Sequence, residues 1–181
     1  MKNWLKIKAG SRWVILPWLC AIVYPASGTA ATPVDKTLEA YLKVFPETKS
    51  IGVIYSQASF EPSLKQLEAG AKAHNVKVVK VNCPGIKEFP AAITGIKDQV
   101  DTVWVPDDPL FALPDVWSFF LFFTIRNQLK TVVSTEKALK EGGLFYYSEN
   151  KEAIINKRML DIFGIKVSSL GGAVRFYEPS Q

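Results

Sequence analysis

Two adjacent carboxylates, Asp107 and Asp108, stand between Pro106 and Pro109. A paired acid can help hold a divalent cation, serve as an acid–base couple, or take a cationic group of a ligand. A Mg²⁺ site of the receiver type needs further acids after the first strand, and Ser56 and Gln57 stand there instead. Pro-Asp-Asp-Pro is also a turn sequence in which an Asp caps the next turn of chain. Two functional readings stay open beside that one: an Asp that hydrogen-bonds a ligand, for instance at an amino group, and a small hydrolase that uses Asp107 or Asp108. The single His, His74, falls near the end of a polar helix and is followed by Asn75, a helix-ending residue. A Ser- or Cys-based triad would have to be assembled around that one solvated ring. Cys20 and Cys83 are too few for a zinc cage, and Cys83 closes an apolar run, the place of a buried and inert thiol. GxGxxG, GxxxxGK[ST] and a hydroxyl-and-glycine flavin loop are all missing after the first strand. The sequence therefore calls for no cofactor, no metal and no catalytic residue.

The residues with binding chemistry are polar groups between apolar runs. Ser56, Gln57 and Ser59 follow the run 50–56, Asp107 and Asp108 follow 101–105, and Thr135 follows 130–134. These runs, with 76–82 and 143–147, are short, β-branched and almost wholly apolar, as strands covered on both faces must be. Helical spacing separates them. Leu38, Tyr41, Leu42 and Phe45 mark a helix over 36–45, and Leu64, Leu67 and Ala71 one over 61–74. Further helices are expected over 88–97, 114–128 and 149–163, and a final strand over 173–177. Strand–helix alternation means a doubly wound, mainly parallel sheet of five to six strands in a three-layer α/β/α sandwich. In such sheets ligands sit beyond the carboxyl ends of the strands, where strand order reverses. All six polar residues named above fall on that side.

Charge separates the first residues from the rest. Lys2, Lys6, Lys8 and Arg12 have no acid before Asp35, and without residues 1–31 the formal charge falls from +5 to +1. A nearly neutral domain has no electrostatic motive to bind nucleic acid. Positive residues, then the uncharged run 13–24, then Ala26-Ser27-Gly28-Thr29-Ala30-Ala31 is the layout of a secretory signal peptide. Twelve apolar residues rise only about 18 Å as a helix, short of the roughly 30 Å of membrane hydrocarbon. The expected organisation is a signal peptide over 1–31 and one α/β domain over 32–181, exported to the periplasm or beyond. Lipidation at Cys20 would want a small residue before it, and Leu19 stands there.

Residues 110–125, LFALPDVWSFFLFFTI, carry aromatic residues around most of a helix. A peripheral helix keeps a polar side, so Trp117, Phe119, Phe120, Phe122 and Phe123 are expected to form a patch covered by another protein surface, with a homodimer as one solution.

The ordered set of segments has a family likeness. Phe45-Pro46-Glu47-Thr48-Lys49-Ser50-Ile51-Gly52-Val53-Ile54-Tyr55-Ser56, with Phe60-Glu61-Pro62-Ser63 after it, resembles one stretch of the ABC-transporter substrate-binding proteins of the tryptophan/tyrosine-binding type. Asp101-Thr102-Val103-Trp104-Val105-Pro106-Asp107-Asp108 and Lys140-Glu141-Gly142-Gly143 resemble two further stretches of that family. The likeness spans about residues 36–165. It implies one lobe of the type I periplasmic-binding fold and a small-molecule ligand held by Ser56, Ser59, Asp107, Asp108 and Thr135, which Gln57 joins by its place in the first of these loops. Members of the family close two such lobes on the ligand, and this chain has room for one. The sequence thus supports an exported, non-enzymatic solute-binding lobe, or a sensory module that docks on a membrane transporter or receptor and binds no solute. Processing is testable at once: the exported protein is expected to begin at Ala31 or Thr32, and a mass spectrum showing an intact Met1 would overturn the leader assignment.

Overall fold

The computed structural model describes residues 33–57 and 60–179. The leader, Cys20 and Ser59 therefore lie outside the described residues.

The helices and strands follow one another as α1 (Val34–Val44), β1 (Ser50–Tyr55), α2 (Glu61–Ala73), β2 (Lys77–Asn82), α3 (Phe89–Ile96), β3 (Thr102–Val105), α4 (Pro114–Arg126), β4 (Lys130–Val133), α5 (Glu136–Lys140), β5 (Phe145–Tyr147), β6 (Ala153–Asn156), α6 (Lys157–Ile162) and β7 (Arg175–Tyr177). The strands form one sheet in the order β2-β1-β3-β4-β5-β6-β7. Every pair is parallel except β5–β6. Strand order reverses between β1 and β3, because β2 lies on the far side of β1. The expected mainly parallel α/β sandwich is present, with seven strands where five to six were expected.

The sheet divides the core in two. On one face α1, α2 and α6 bury Leu38, Tyr41, Leu67 and Leu160 against Val53, Trp104, Val132 and Ile155. On the other, α3, α4 and α5 bury Ile93, Phe120 and Leu139 against Ile54, Val103 and Val133. Gly52 sits where a methyl group would press into Ile96 and Val100, so its bare Cα lets α3 lie close to β1. The buried Tyr41 hydroxyl shares a 2.7 Å hydrogen bond with Thr102. Among the described residues no helix is long and apolar enough to cross a membrane.

Several helices end in the same way. Asn75, Gln128, Gly142 and Gly164 take positive φ just past α2, α4, α5 and α6. In each case the next amide reaches back five residues: Val76 to Ala71, Leu129 to Thr124, Gly143 to Ala138 and Ile165 to Leu160, at 2.8–3.0 Å. These are Schellman endings, which satisfy the last carbonyls and turn the chain sharply.

Two expectations need correction. The helix expected over 149–163 is a hairpin strand, β6, followed by the short α6. Ile155, Met159, Ile162 and Phe163 imitate a helical stripe, but Ala153–Asn156 are buried on both faces and pair antiparallel with β5. The reversal is a turn at Ser148–Lys151 with Lys151 at φ 62°, and nothing as legible as Asn-Gly marks it. The aromatic patch is also smaller than expected. Trp117 and Phe120 are buried in the core, Phe120 against Trp117 and Phe111. Of the five residues, Phe119 and Phe122 are exposed, Phe122 by 63 %, and Phe123 is half-buried.

Substitutions separate the two roles. Phe120→Glu buries a charge and is expected to abolish cooperative unfolding, since losing such a ring alone costs about 3–5 kcal/mol. Phe122→Glu is expected to keep the wild-type circular dichroism and melting temperature. A folded Phe120→Glu protein would show that the ring is not core.

Candidate functional site

Ser56 and Asp108 leave the adjacent strands β1 and β3 at the point where strand order reverses, and they bind each other. Asp108 Oδ2 accepts from the Ser56 backbone N–H at 2.8 Å, and Oδ1 accepts from the Ser56 hydroxyl at 2.6 Å. Oδ1 also accepts from the Leu110 N–H at 2.9 Å, two residues on, as an Asp that caps its own turn does. Asp108 is only 5 % exposed. Burial pushes its pKa up, but the bonds from Ser56, Leu110 and the Gln57 amide outweigh it and leave the carboxyl below its ordinary value. Both of its oxygens are engaged, so Asp108 is a brace for the site.

Asp107, its neighbour, is exposed at the cavity rim. A cavity of about 210 Å³ opens beside it, walled by Val34 and Thr37 of α1, Phe60 before α2, Trp104 of β3, Val133 of β4 and Tyr147 of β5. Gln57 and Ser63 also face this cavity. Two further concavities, of about 380 and 210 Å³, adjoin it. Asp107 and Ser134 line all three, so they form a shared rim. Ser134 is held by donating its hydroxyl to the Val105 carbonyl at 2.8 Å.

The sequence-derived residues thus take different places. Gln57, Asp107 and Asp108 border the first cavity. Ser56 lies beneath it as the partner of Asp108. Thr135 borders the two adjoining concavities and caps α5, its Oγ1 accepting from the Ala138 N–H at 3.2 Å. Sequence reasoning missed α5, a five-residue helix, and missed Phe60, Trp104 and Tyr147 as cavity residues; Ser134 lies in the loop after β4 that also holds Thr135. Trp104 left a signal: an indole inside a strand of four buried residues must place its N–H somewhere. That N–H has no hydrogen-bond partner among the described residues, whereas Trp117 Nε1 donates to the Glu141 carbonyl at 3.2 Å.

Other chemistry-bearing groups lie away from this rim. His74 caps the end of α2 and is exposed. Cys83 is buried, donates to the Gly85 carbonyl at 3.2 Å, and has its thiol pKa raised by burial, which keeps it a poor nucleophile. Among the described residues no three His, Cys, Asp or Glu side chains are grouped to hold a metal ion.

Residues 27–154 match the model of a family described as ABC transporter substrate binding protein. The chain belongs to that family. A tyrosine-binding protein of Clostridioides difficile (strain R20291) is 30 % identical over 115 residues, which are 61 % of this chain and 32 % of the relative. The chain thus spans about a third of that curated relative's length. An ABC domain from Streptococcus pneumonia solved in complex with L-Trp superposes with a TM-score of 0.66 at 18 % identity, over 80 % of this chain and 60 % of the other. The ligand-free, open form of a substrate-binding protein with adhesive properties from Clostridium difficile gives a TM-score of 0.70 at 18 % identity, over 82 % and 61 %. At that identity these structures establish the shared fold. The lobe-type α/β sheet expected from the sequence is the one they have.

The Asp108 brace has an acid signature. Its lowered pKa means that its contribution to stability is complete above the ordinary carboxylate pKa of about 3.9 and is lost as pH falls through the lower folded value. Asp108→Asn points an amide donor at a backbone donor, and is expected to cost about 1–3 kcal/mol at neutral pH. Urea unfolding at a series of pH values checks this. The gap to wild type should narrow below about pH 4, and a gap independent of pH would refute the brace.

Proposed function

We propose that this chain is an exported, non-enzymatic solute-binding lobe of an ABC-type uptake or sensing system, which takes an amino-acid-like molecule at the carboxyl edge of its sheet. The observation that supports this reading most directly is the cavity at the strand-order reversal, with aromatic walls and the exposed Asp107 carboxylate at its rim. An apolar side chain of the ligand fits against Phe60, Trp104 and Tyr147, and its ammonium group pairs with Asp107. The tyrosine-binding relative and the neighbour solved with L-Trp agree with a ligand of that kind.

Pockets for drug-sized ligands usually measure roughly 300–1,000 Å³ and bury 70 % or more of the ligand. A 210 Å³ recess open to solvent offers one wall of such a site. In this reading a second protein surface closes the other side, supplied by a homodimer partner or by a membrane transporter or receptor. Phe119 and Phe122, exposed on α4, offer an apolar contact for such a partner.

Isothermal titration of the purified protein with L-tyrosine and L-tryptophan tests the proposal. Saturable binding is expected, and Asp107→Asn should weaken it roughly tenfold through loss of a charge-assisted hydrogen bond. Absence of heat and of thermal stabilisation with every member of an amino-acid panel would favour the alternative, a docking module that binds no solute.

A further inference from the structure

The outer surfaces of the helices differ in charge. α1, α2, α5 and α6 each carry three or four charged residues. The eight residues of α3 carry none. Its exposed residues are Pro90, Ala91, Thr94 and Gly95, and the Thr94 hydroxyl is turned back onto the Pro90 carbonyl at 2.7 Å. α4, on the same face of the sheet, has one acid in its first turn, Asp115, and one base in its last, Arg126. Between them Phe119 is 37 % exposed and Phe122 63 %. The Phe119 ring meets Phe89 of α3 with centroids 6.2 Å apart, so the two helices present one surface. Exposed aromatic rings on an uncharged surface mark an interaction face.

The spacing along α4 indicates what fits there. Asp115, Phe119, Phe122 and Arg126 follow one another at steps of four, three and four residues. At 3.6 residues per turn they fall within about 60° of arc. All four are exposed, so they form one stripe on the outer side of the helix. The stripe is symmetric about its middle: the rings flank the centre, and opposite charges stand at equal distances beyond them. A second α4 laid antiparallel on that centre brings Phe119 against the partner's Phe122. It also brings Asp115 against the partner's Arg126, once at each end. Neither Asp115 nor Arg126 has an ion-pair partner among the described residues. A twofold contact sets the same patch of both copies face to face. A patch with no charge at its centre and opposite charges at its ends is complementary to itself.

We propose that two copies of this chain associate through α4, laid antiparallel about a twofold axis between Phe119 and Phe122, with an Asp115–Arg126 pair at each end of the contact. This holds whether or not the chain binds a solute. A helix of 13 residues is about 20 Å long. A contact of that length falls short of the roughly 800 Å² per partner of standard complexes, so the dimer is reversible, with a Kd on the order of 10 µM.

Sedimentation velocity of the purified protein, from about 1 to about 300 µM, tests this. Wild type is expected to pass from monomer to dimer across that range. Asp115→Arg and Arg126→Asp each leave a stripe of one sign, and each alone is expected to raise the Kd roughly a hundredfold. Mixed in equal amounts, the two variants are expected to regain wild-type association, because every pair across the contact is then of opposite charge. The helix dipole also favours an acid at the start of α4 and a base at its end, but a purely local role of that kind gives no rescue on mixing. Circular dichroism checks that each variant is folded. Should a charge variant fail to fold, Phe122→Glu decides: it is expected to be a folded monomer, and association as tight as wild type overturns the proposal. A wild type that stays monomeric at the upper concentration also overturns it. So does a dimer that survives either charge change, or a loss that mixing does not restore.

Discussion

Two carboxylates flanking β3 tie it to β1, its neighbour across the strand-order reversal, and the site depends on that. Asp101, just before β3, accepts from the Lys49 and Ser50 amides and the Ser50 hydroxyl at 2.9–3.2 Å. Asp108, just after β3, accepts from the Ser56 amide and hydroxyl. Each end of β1 thus offers a serine and a backbone N–H to an aspartate of β3. Parallel strands cannot be joined by a tight hairpin, so side chains tie together what the chain path does not. The strand-order reversal lies between these two strands, and the loops that line the cavity leave from them.

Polar groups in the rest of the interior are paired with care. Tyr41 meets Thr102, the Leu144 amide meets Thr131, and the Asn156 amide reaches the Leu139 carbonyl at 3.0 Å. An unmade bond in such a setting costs more than a made one contributes. The Trp104 N–H, without a partner among the described residues, therefore stands out against its surroundings; it is buried in the core, although the residue borders the recess.

Much of this was legible from the residues. The strands over 50–105 and the helices between them follow from apolar runs and from Leu64, Leu67 and Ala71 at helical spacing, because local periodicity and tertiary burial agree there. The hairpin at 148–156 was not legible. Its β-branched residues are followed by Met159 and Ile162 at helix-like intervals, and a Lys at positive φ is a poor marker of a turn. The site was half legible. Loop polarity identified Asp107 and Asp108 but could not separate rim from brace, since only the third dimension shows that Ser56 uses up both oxygens of Asp108. Trp104 was hidden because a Trp in an apolar strand looks like core until its nitrogen is found without a partner. The aromatic helix was misjudged because one helical turn holds both Phe119 and Phe120, and composition cannot tell which of them faces the sheet.

The Schellman endings divide the two rims of the sheet into different materials. On the amino side, α2, α4 and α5 pass into β2, β4 and β5 within a few residues, and their back-reaching amides leave no slack. On the carboxyl side, the β3–α4 connection is longer, and its residues fold into successive turns in which the Phe111, Ala112 and Leu113 amides reach back three residues at 3.0–3.4 Å. Exposed positions there, such as Asp107, can be exchanged without touching the Ser56–Asp108 tie, whereas an inserted residue on the opposite rim would break a helix end. The molecule is therefore built on a fixed base, with an upper edge whose exposed positions can vary while the Ser56–Asp108 tie beneath them stays in place.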